Sequence, residues 1–174
     1  GDVNIVTNQL LIQDDADVSV ATFGSGNGGN LKVNADDLIQ LNGNGTLLTG
    51  RAGSGSSGNA GVIEILANRL LIQDDAQVDV TTFGEGDGGT LTVEVADVIK
   101  ISGESRLTGL FSRAASSSLG DAGDIQLTAD QISIQNGAIA SGSGGLGSGG
   151  DIAIQANRIE VIGADSGISS TSNN

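Results

Sequence analysis

The stretch Gly61-Val62-Ile63-Glu64-Ile65-Leu66-Ala67-Asn68-Arg69-Leu70-Leu71-Ile72-Gln73-Asp74-Asp75-Ala76-Gln77-Val78-Asp79-Val80 decides the fold. Apolar residues alternate with polar ones in three runs: Ile63 and Ile65, then Leu70 and Ile72, then Val78 and Val80. A period of two means strands with one buried face. Asn68 separates the first two runs and Asp74-Asp75 the last two, and Asn and Asp are residues that tolerate turn backbone. A glycine opens the stretch, and nothing in it carries the 3.6-residue period of a helix.

The same order returns along the whole chain. Gly1, Gly29, Gly61, Gly89, Gly123 and Gly150 each precede an alternating pair, at spacings of 28, 32, 28, 34 and 27 residues. An Asn or Asp then follows in every unit: Asn8, Asp36, Asn68, Asp97, Asp130 and Asn157. After the second alternating run comes a turn such as Asn42-Gly43, Ser102-Gly103 or Asn136-Gly137. A third apolar stretch closes the unit: Val18 and Val20, Leu47, Val78 and Val80, Leu107, Ile139, Ile168. A Gly/Ser-rich loop leads to the next glycine. Leu10-Leu11-Ile12-Gln13-Asp14-Asp15-Ala16 recurs 60 residues later as Leu70 to Ala76, and Thr22-Phe23-Gly24 as Thr82-Phe83-Gly84, so units alternate between two kinds.

A unit of about 30 residues cannot bury its own apolar face, so neighbouring units must stack. Equivalent strands recur once per unit in one direction, and stacking pairs each with its counterpart in a parallel sheet. The expected fold is all-β: a right-handed, three-sided parallel β-helix of about six coils, forming one domain over residues 1–174. At about 4.8 Å per coil the rod is roughly 29 Å long. The Asn/Asp series from Asn8 to Asn157 is expected to turn a corner in left-handed backbone and to stack as a side-chain ladder. The chain has no proline, as unbroken ladders require.

Composition narrows function. The 174 residues include 29 Gly, no His and no Cys, with 7 basic and 21 acidic side chains and a net charge of −14. Zinc sites of the usual kind, thiolate nucleophiles, Ser-His-Asp triads and disulfides are thereby excluded. So acidic a chain is a poor nucleic-acid partner, since phosphate recognition needs clustered Lys and Arg. Leu, Ile, Val and Phe make up 48 residues, or about 28% of the chain, too many and too regularly placed for disorder. No apolar run reaches the ~18 residues of a membrane span, so membrane insertion is not expected. Position 1 is Gly rather than Met and already lies in pattern, which suggests an excerpt or a processed chain.

Candidate sites are few. Asp14, Asp15, Asp74 and Asp75 form matching acidic pairs, readable as a cation or carboxylate-pair site or as left-handed turn residues aligned with Gly137. The turn reading is preferred, and no catalytic residue or cofactor is expected. Gly26-Asn27-Gly28-Gly29 and Gly86-Asp87-Gly88-Gly89 share glycines, and the second also an acid, with calcium-binding nonapeptides but lack their nine-residue period, so they read as loop punctuation. Phe23 and Phe83 are expected to cap a core corner, Phe111 to lie in a loop, and the dispersed Arg and Lys to balance surface charge.

The strings Gly58-Asn59-Ala60-Gly61-Val62-Ile63-Glu64-Ile65 and Gly120-Asp121-Ala122-Gly123-Asp124-Ile125-Gln126-Leu127 resemble the repeat region of filamentous-haemagglutinin-like exoproteins. The Leu-Ile-Gln-Asp-Asp-Ala and Thr-Phe-Gly elements are similar to those of large cyanobacterial surface proteins of that group. The resemblance implies two-partner secretion, a β-helical shaft and an extracellular place on a bacterial cell surface. The amino-terminal secretion domain of such proteins, with its Asn-Pro motifs, is missing from this proline-free chain. A non-enzymatic structural or adhesive shaft segment is therefore expected, continuing in the same chain or self-associating end to end, with surface glycans as further partners. The alternative is a β-helical polysaccharide lyase or hydrolase, or a glycan-binding module, because this architecture also hosts such enzymes. After Ile168 the chain is expected to trail off without a cap.

Overall fold

The computed structural model describes residues 1–172, which form twelve strands and, among the described residues, no helix. In order these are β1 (Val3–Gln13), β2 (Asp17–Ser19), β3 (Asn30–Asn42), β4 (Leu47–Thr49), β5 (Val62–Gln73), β6 (Gln77–Asp79), β7 (Leu91–Ser102), β8 (Gly109–Ala114), β9 (Ile125–Gln135), β10 (Ala138–Ser143), β11 (Ile152–Ile162) and β12 (Gly167–Ser172). The odd-numbered strands make one six-stranded parallel sheet and the even-numbered strands another, each in sequence order. The chain is a parallel β-solenoid of six coils, one strand per sheet in each coil.

Each coil was expected to carry three short strands, and it carries two. The first two alternating runs fuse into one strand of 11 to 13 residues. Asn8, Asp36, Asn68, Asp97 and Asp130 sit where the pairing register slips, as between Thr7 and Gln9, and Asn157 stays unpaired opposite Asp130 without a slip. None of these six has positive φ. They are unpaired residues at a bend, and the ladder resumes beyond them in the manner of a bulge. The extra residue keeps both halves facing inward: Val3 and Ile5 before the bend, Leu10 and Ile12 after it.

Five apolar columns then run up the interior. Val3, Leu31, Ile63, Leu91, Ile125 and Ile152 pair in register, as do Ile12, Leu41, Ile72, Ile101, Ile134 and Val161. Two more start at Ile5 and Leu10. On the second sheet the column is Val18, Leu48, Val78, Leu110, Ile139 and Ile168. Two expected members change here. Leu48 replaces Leu47, and Leu110 replaces Leu107, which lies 55% exposed in the turn before β8. Coil 4 spends extra residues in that turn, so its strand begins only at Gly109.

Serine replaces valine further along the same sheet. The inward position is Val20, Gly50 and Val80 in the first three coils, then Ser112, Ser141 and Ser170. The three hydroxyls donate to the carbonyls of Gly89, Gly123 and Gly150 at 2.6, 2.7 and 2.6 Å, which satisfies the buried Ser112 and Ser141 inside the solenoid. Residues 169–172 belong to β12 and so do not trail off; Asn173 and Asn174 lie outside the described residues.

The coil-opening glycines stack directly on one another. A Cβ on Gly29, Gly61, Gly89, Gly123 or Gly150 would overlap the carbonyl oxygen of the glycine one coil below. Gly58, Gly86, Gly120 and Gly147 form a second such column above Gly26. At these positions only glycine lets two backbones approach to sheet spacing.

Candidate functional site

Asp14-Asp15 and Asp74-Asp75 occupy the tight turns of coils 1 and 3. Their φ angles are 57° and 67° in the first pair and 53° and 67° in the second, with the Ala16 and Ala76 N–H groups closing the turns on the Gln13 and Gln73 carbonyls. Two consecutive positive φ values define a type I′ turn, where Asp is among the tolerated residues. In coil 5 only Asn136 has positive φ, at 51°, so that turn is not of this type; Gly137, the expected equivalent, has none.

These turns explain the 60-residue identity. The Asp15, Asp75 and Asn136 N–H groups donate to hydroxyls of the even coil above: Thr46 at 3.3 Å, Thr108 at 2.9 Å and Ser166 at 2.8 Å. In return the Gly43 and Gly103 N–H groups donate to the Gln73 and Gln135 carbonyls of the next odd coil. Odd and even turns are complementary halves of one joint. Asp75 Oδ1 additionally accepts from Ser105 Oγ at 2.7 Å, so this carboxylate is engaged in holding the joint. Among the described residues no group of three or more acidic ligands is placed to hold a metal ion.

The amide ladder exists, but in the Gly/Asn/Asp loops rather than at the bend. Asn27 Oδ1 accepts the Asn59 N–H, Asn59 Oδ1 the Asp87 N–H, and Asp87 Oδ1 the Asp121 N–H, each at 3.0 Å. Asp121 Oδ1 then accepts the Ser148 N–H at 2.6 Å. Among the bend residues only Asn157 and Asp130 join across coils, through Nδ2 and Oδ1 at 2.7 Å. We expect Asn59→Ala to cost about 1 kcal/mol, because it leaves the Asp87 N–H without its acceptor. Asn157→Ala, at an exposed bend, should stay within about 0.5 kcal/mol. Urea denaturation compares the two, and equal losses would contradict this assignment.

The solvent-facing side of the second sheet carries the densest side-chain chemistry. Asp79 is only 1% exposed, although it points outward beside the apolar Val78 column. Its Oδ2 accepts from Arg51 Nε at 2.7 Å and from a second Arg51 nitrogen, and its Oδ1 accepts the Thr81 N–H at 2.8 Å. Arg51 also donates to Gln77 Oε1 at 2.9 Å. One coil higher, Phe111 is buried in β8 rather than lying in a loop, and the Arg113 guanidinium stacks 4.2 Å from its ring centroid. Phe23 and Phe83 cap no core: they are 81% and 39% exposed, with Phe23 lying against the Gly53 backbone.

Burial pushes the Arg113 pKa down, the field of Asp79 acts against this, and Arg51 adds to it. Elsewhere, partial burial raises the Asp17 carboxyl above its ordinary range. The Gln9 amide and the Arg69 guanidinium hold Asp37 below its ordinary range.

Above Arg113 the outward side chains shrink. Ala140, Gly142, Ser169 and Thr171 form a low shelf, and the step down to it from Phe83, Thr81 and Arg113 is a groove of about 390 Å³. Along the sequence the basic residues are scattered; stacking brings Arg51 and Arg113 to one face, around one carboxylate. No protein-family model, no curated protein and no solved structure matches this chain.

Proposed function

We propose that the chain is a non-enzymatic structural shaft, an acidic rod whose coils serve rigidity and adhesion at an extracellular bacterial surface. The observation that carries this reading is the way the apolar columns meet the end coils. Ile132 and Ile134 of coil 5 are at most 1% exposed, whereas Ile159 and Val161, directly above them, are 47% and 45% exposed. At the other end Val3, Ile5 and Leu10 are half-buried. The end faces carry the same columns and the same glycine stacking as the interior junctions, and a further coil of the same pattern would cover them. Secretion and surface placement rest on the resemblance of the Gly-Asn/Asp-x-Gly strings to filamentous-haemagglutinin-like repeats.

Light scattering and negative-stain microscopy test the rod. We expect concentration-dependent head-to-tail association into filaments one coil wide. Gly26→Ala provides the specific probe. A Cβ there meets nothing within one chain, yet it points where a coil beneath would place a carbonyl, as Gly26 does for Gly58. The variant should fold normally and associate weakly. A wild-type chain that stays monomeric at every concentration, or one that releases unsaturated or reducing ends from acidic polysaccharides, would overturn the proposal.

A further inference from the structure

The groove beside Arg113 has unmet chemical needs that point to its ligand. Among the described residues no carboxylate makes an ion pair with Arg113: Asp79, whose field acts on it, is already committed to Arg51 and the Thr81 N–H. A half-buried guanidinium without a counter-ion is costly, and a carboxylate meeting its planar fork would relieve that cost. Thr81 lines the same groove, and its buried Oγ1 has no hydrogen-bond partner. Buried hydroxyls are seldom left so, although this one is sealed from solvent and touches no ligand directly.

The rest of the lining says what kind of carboxylate fits. Ser169 and Thr171 on the shelf offer hydroxyls, while Ala140 and Gly142 leave the floor open and flat. The partly exposed Phe83 ring gives an apolar face at the rim. Hydroxyls, one aromatic face and one cation are the complements of a pyranose ring bearing a carboxyl group. A volume of about 390 Å³ also suits a small ligand, near the low end of ligand sites at roughly 300–1,000 Å³. The chain's net charge of −14 repels long polyanions, so the recognised unit is one acidic sugar among neutral ones.

We infer that the Arg113 groove binds a single uronate residue of a mixed glycan, with Arg113 taking the carboxylate and Ser169 and Thr171 the ring hydroxyls. The site stands independently of the filament reading, since it lies on the flank of coils 3 to 6 and not on an end face.

The test is titration of the full chain, by calorimetry and by backbone NMR, with an aldobiuronic acid in which one glucuronate is linked to a neutral hexose. Its carboxyl-reduced neutral counterpart and a sulfated disaccharide serve as comparison probes. We expect saturable binding, with shifts centred on Arg113, Phe83 and Ser169. The neutral probe should bind at least about tenfold more weakly, the worth of one charge-assisted hydrogen bond. Arg113→Gln should weaken the uronate by a similar factor without affecting the neutral probe. Ser169→Leu, at an exposed shelf position, leaves the core untouched and should block both ligands. Equal binding of charged and neutral probes, preference for the sulfate, or unaltered affinity in folded Ser169→Leu would each overturn the assignment. So would the absence of saturable uronate binding.

Discussion

Replacing Gly89 by alanine, a change of one methyl group, should destabilise the chain by about 3 kcal/mol. The added Cβ would overlap the Gly61 carbonyl oxygen and sit 2.9 Å from Val80 Cβ. Neither neighbour can yield. Gly61 is fixed by its N–H bond to the Gly50 carbonyl and by the glycine below it, and Val80 is fully buried in the core. The coils cannot spread locally either, because strands on both sides hold them at about 4.8 Å. For a chain of this size about 3 kcal/mol lowers the melting temperature by roughly 6–12 °C. Gly24→Ala is the control. Its Cβ meets nothing, and its backbone lies outside the left-handed region, so the melting temperature should hold or rise slightly. Thermal unfolding followed by circular dichroism compares the two. A Gly89→Ala curve overlying that of Gly24→Ala would show that the stacking is not a steric requirement.

Asp79→Ala should cost about as much, on the order of 3 kcal/mol, for an electrostatic reason. The carboxylate is buried, and two arginines face it from adjacent coils: Arg51 in direct contact and Arg113 through its field. Deleting it leaves their mutual repulsion uncompensated and removes the acceptor of the Thr81 N–H. Asp79→Asn should lie between, because the amide oxygen can still accept from Thr81 while the charge is gone. The discriminating measurement is a double-mutant cycle in urea. Once Arg51 is already alanine, losing Asp79 should cost less than it does in the native chain. Strict additivity of the two substitutions would mean that the pair contributes no coupling.

Much of the solenoid was legible because its determinants repeat. The alternation at Leu31 and Val33 returns at Ile63 and Ile65 and again at Leu91 and Val93, and only parallel stacking buries all of them. The Asp14-Asp15 turn was readable from the tolerance of Asp for left-handed backbone. What escaped reading depends on depth rather than pattern. Ser112 and Ser141 look like loop residues in Ser- and Gly-rich text, yet both lie buried and bonded to glycine carbonyls. Leu107 and Leu110 are equivalent by type, and only the length of the preceding turn decides which one enters the core. The acids recurring at Asp36 and Asp97 point to a ladder there, but the bend runs through extended backbone, and the loops at Asn59 and Asp87 are where oxygens meet amides. The Arg51, Asp79 and Arg113 cluster draws one residue from each of three coils, about 30 residues apart, so no local window contains it.

The alternation of turns has a consequence for fidelity. Repetitive parallel sheets invite register slips, since a strand displaced by a whole coil still finds an apolar partner. In this chain such a slip would set an Asp-Asp turn beside another Asp-Asp turn. The Asp15 N–H would then find the Asp74-Asp75 turn where Thr46 now supplies a hydroxyl. The two-coil period thus works as a parity check: a displacement by one coil is detected by charge repulsion and an unmet amide, whereas a displacement by two passes. Faulty copies of this rod should therefore differ from the correct one by even numbers of coils.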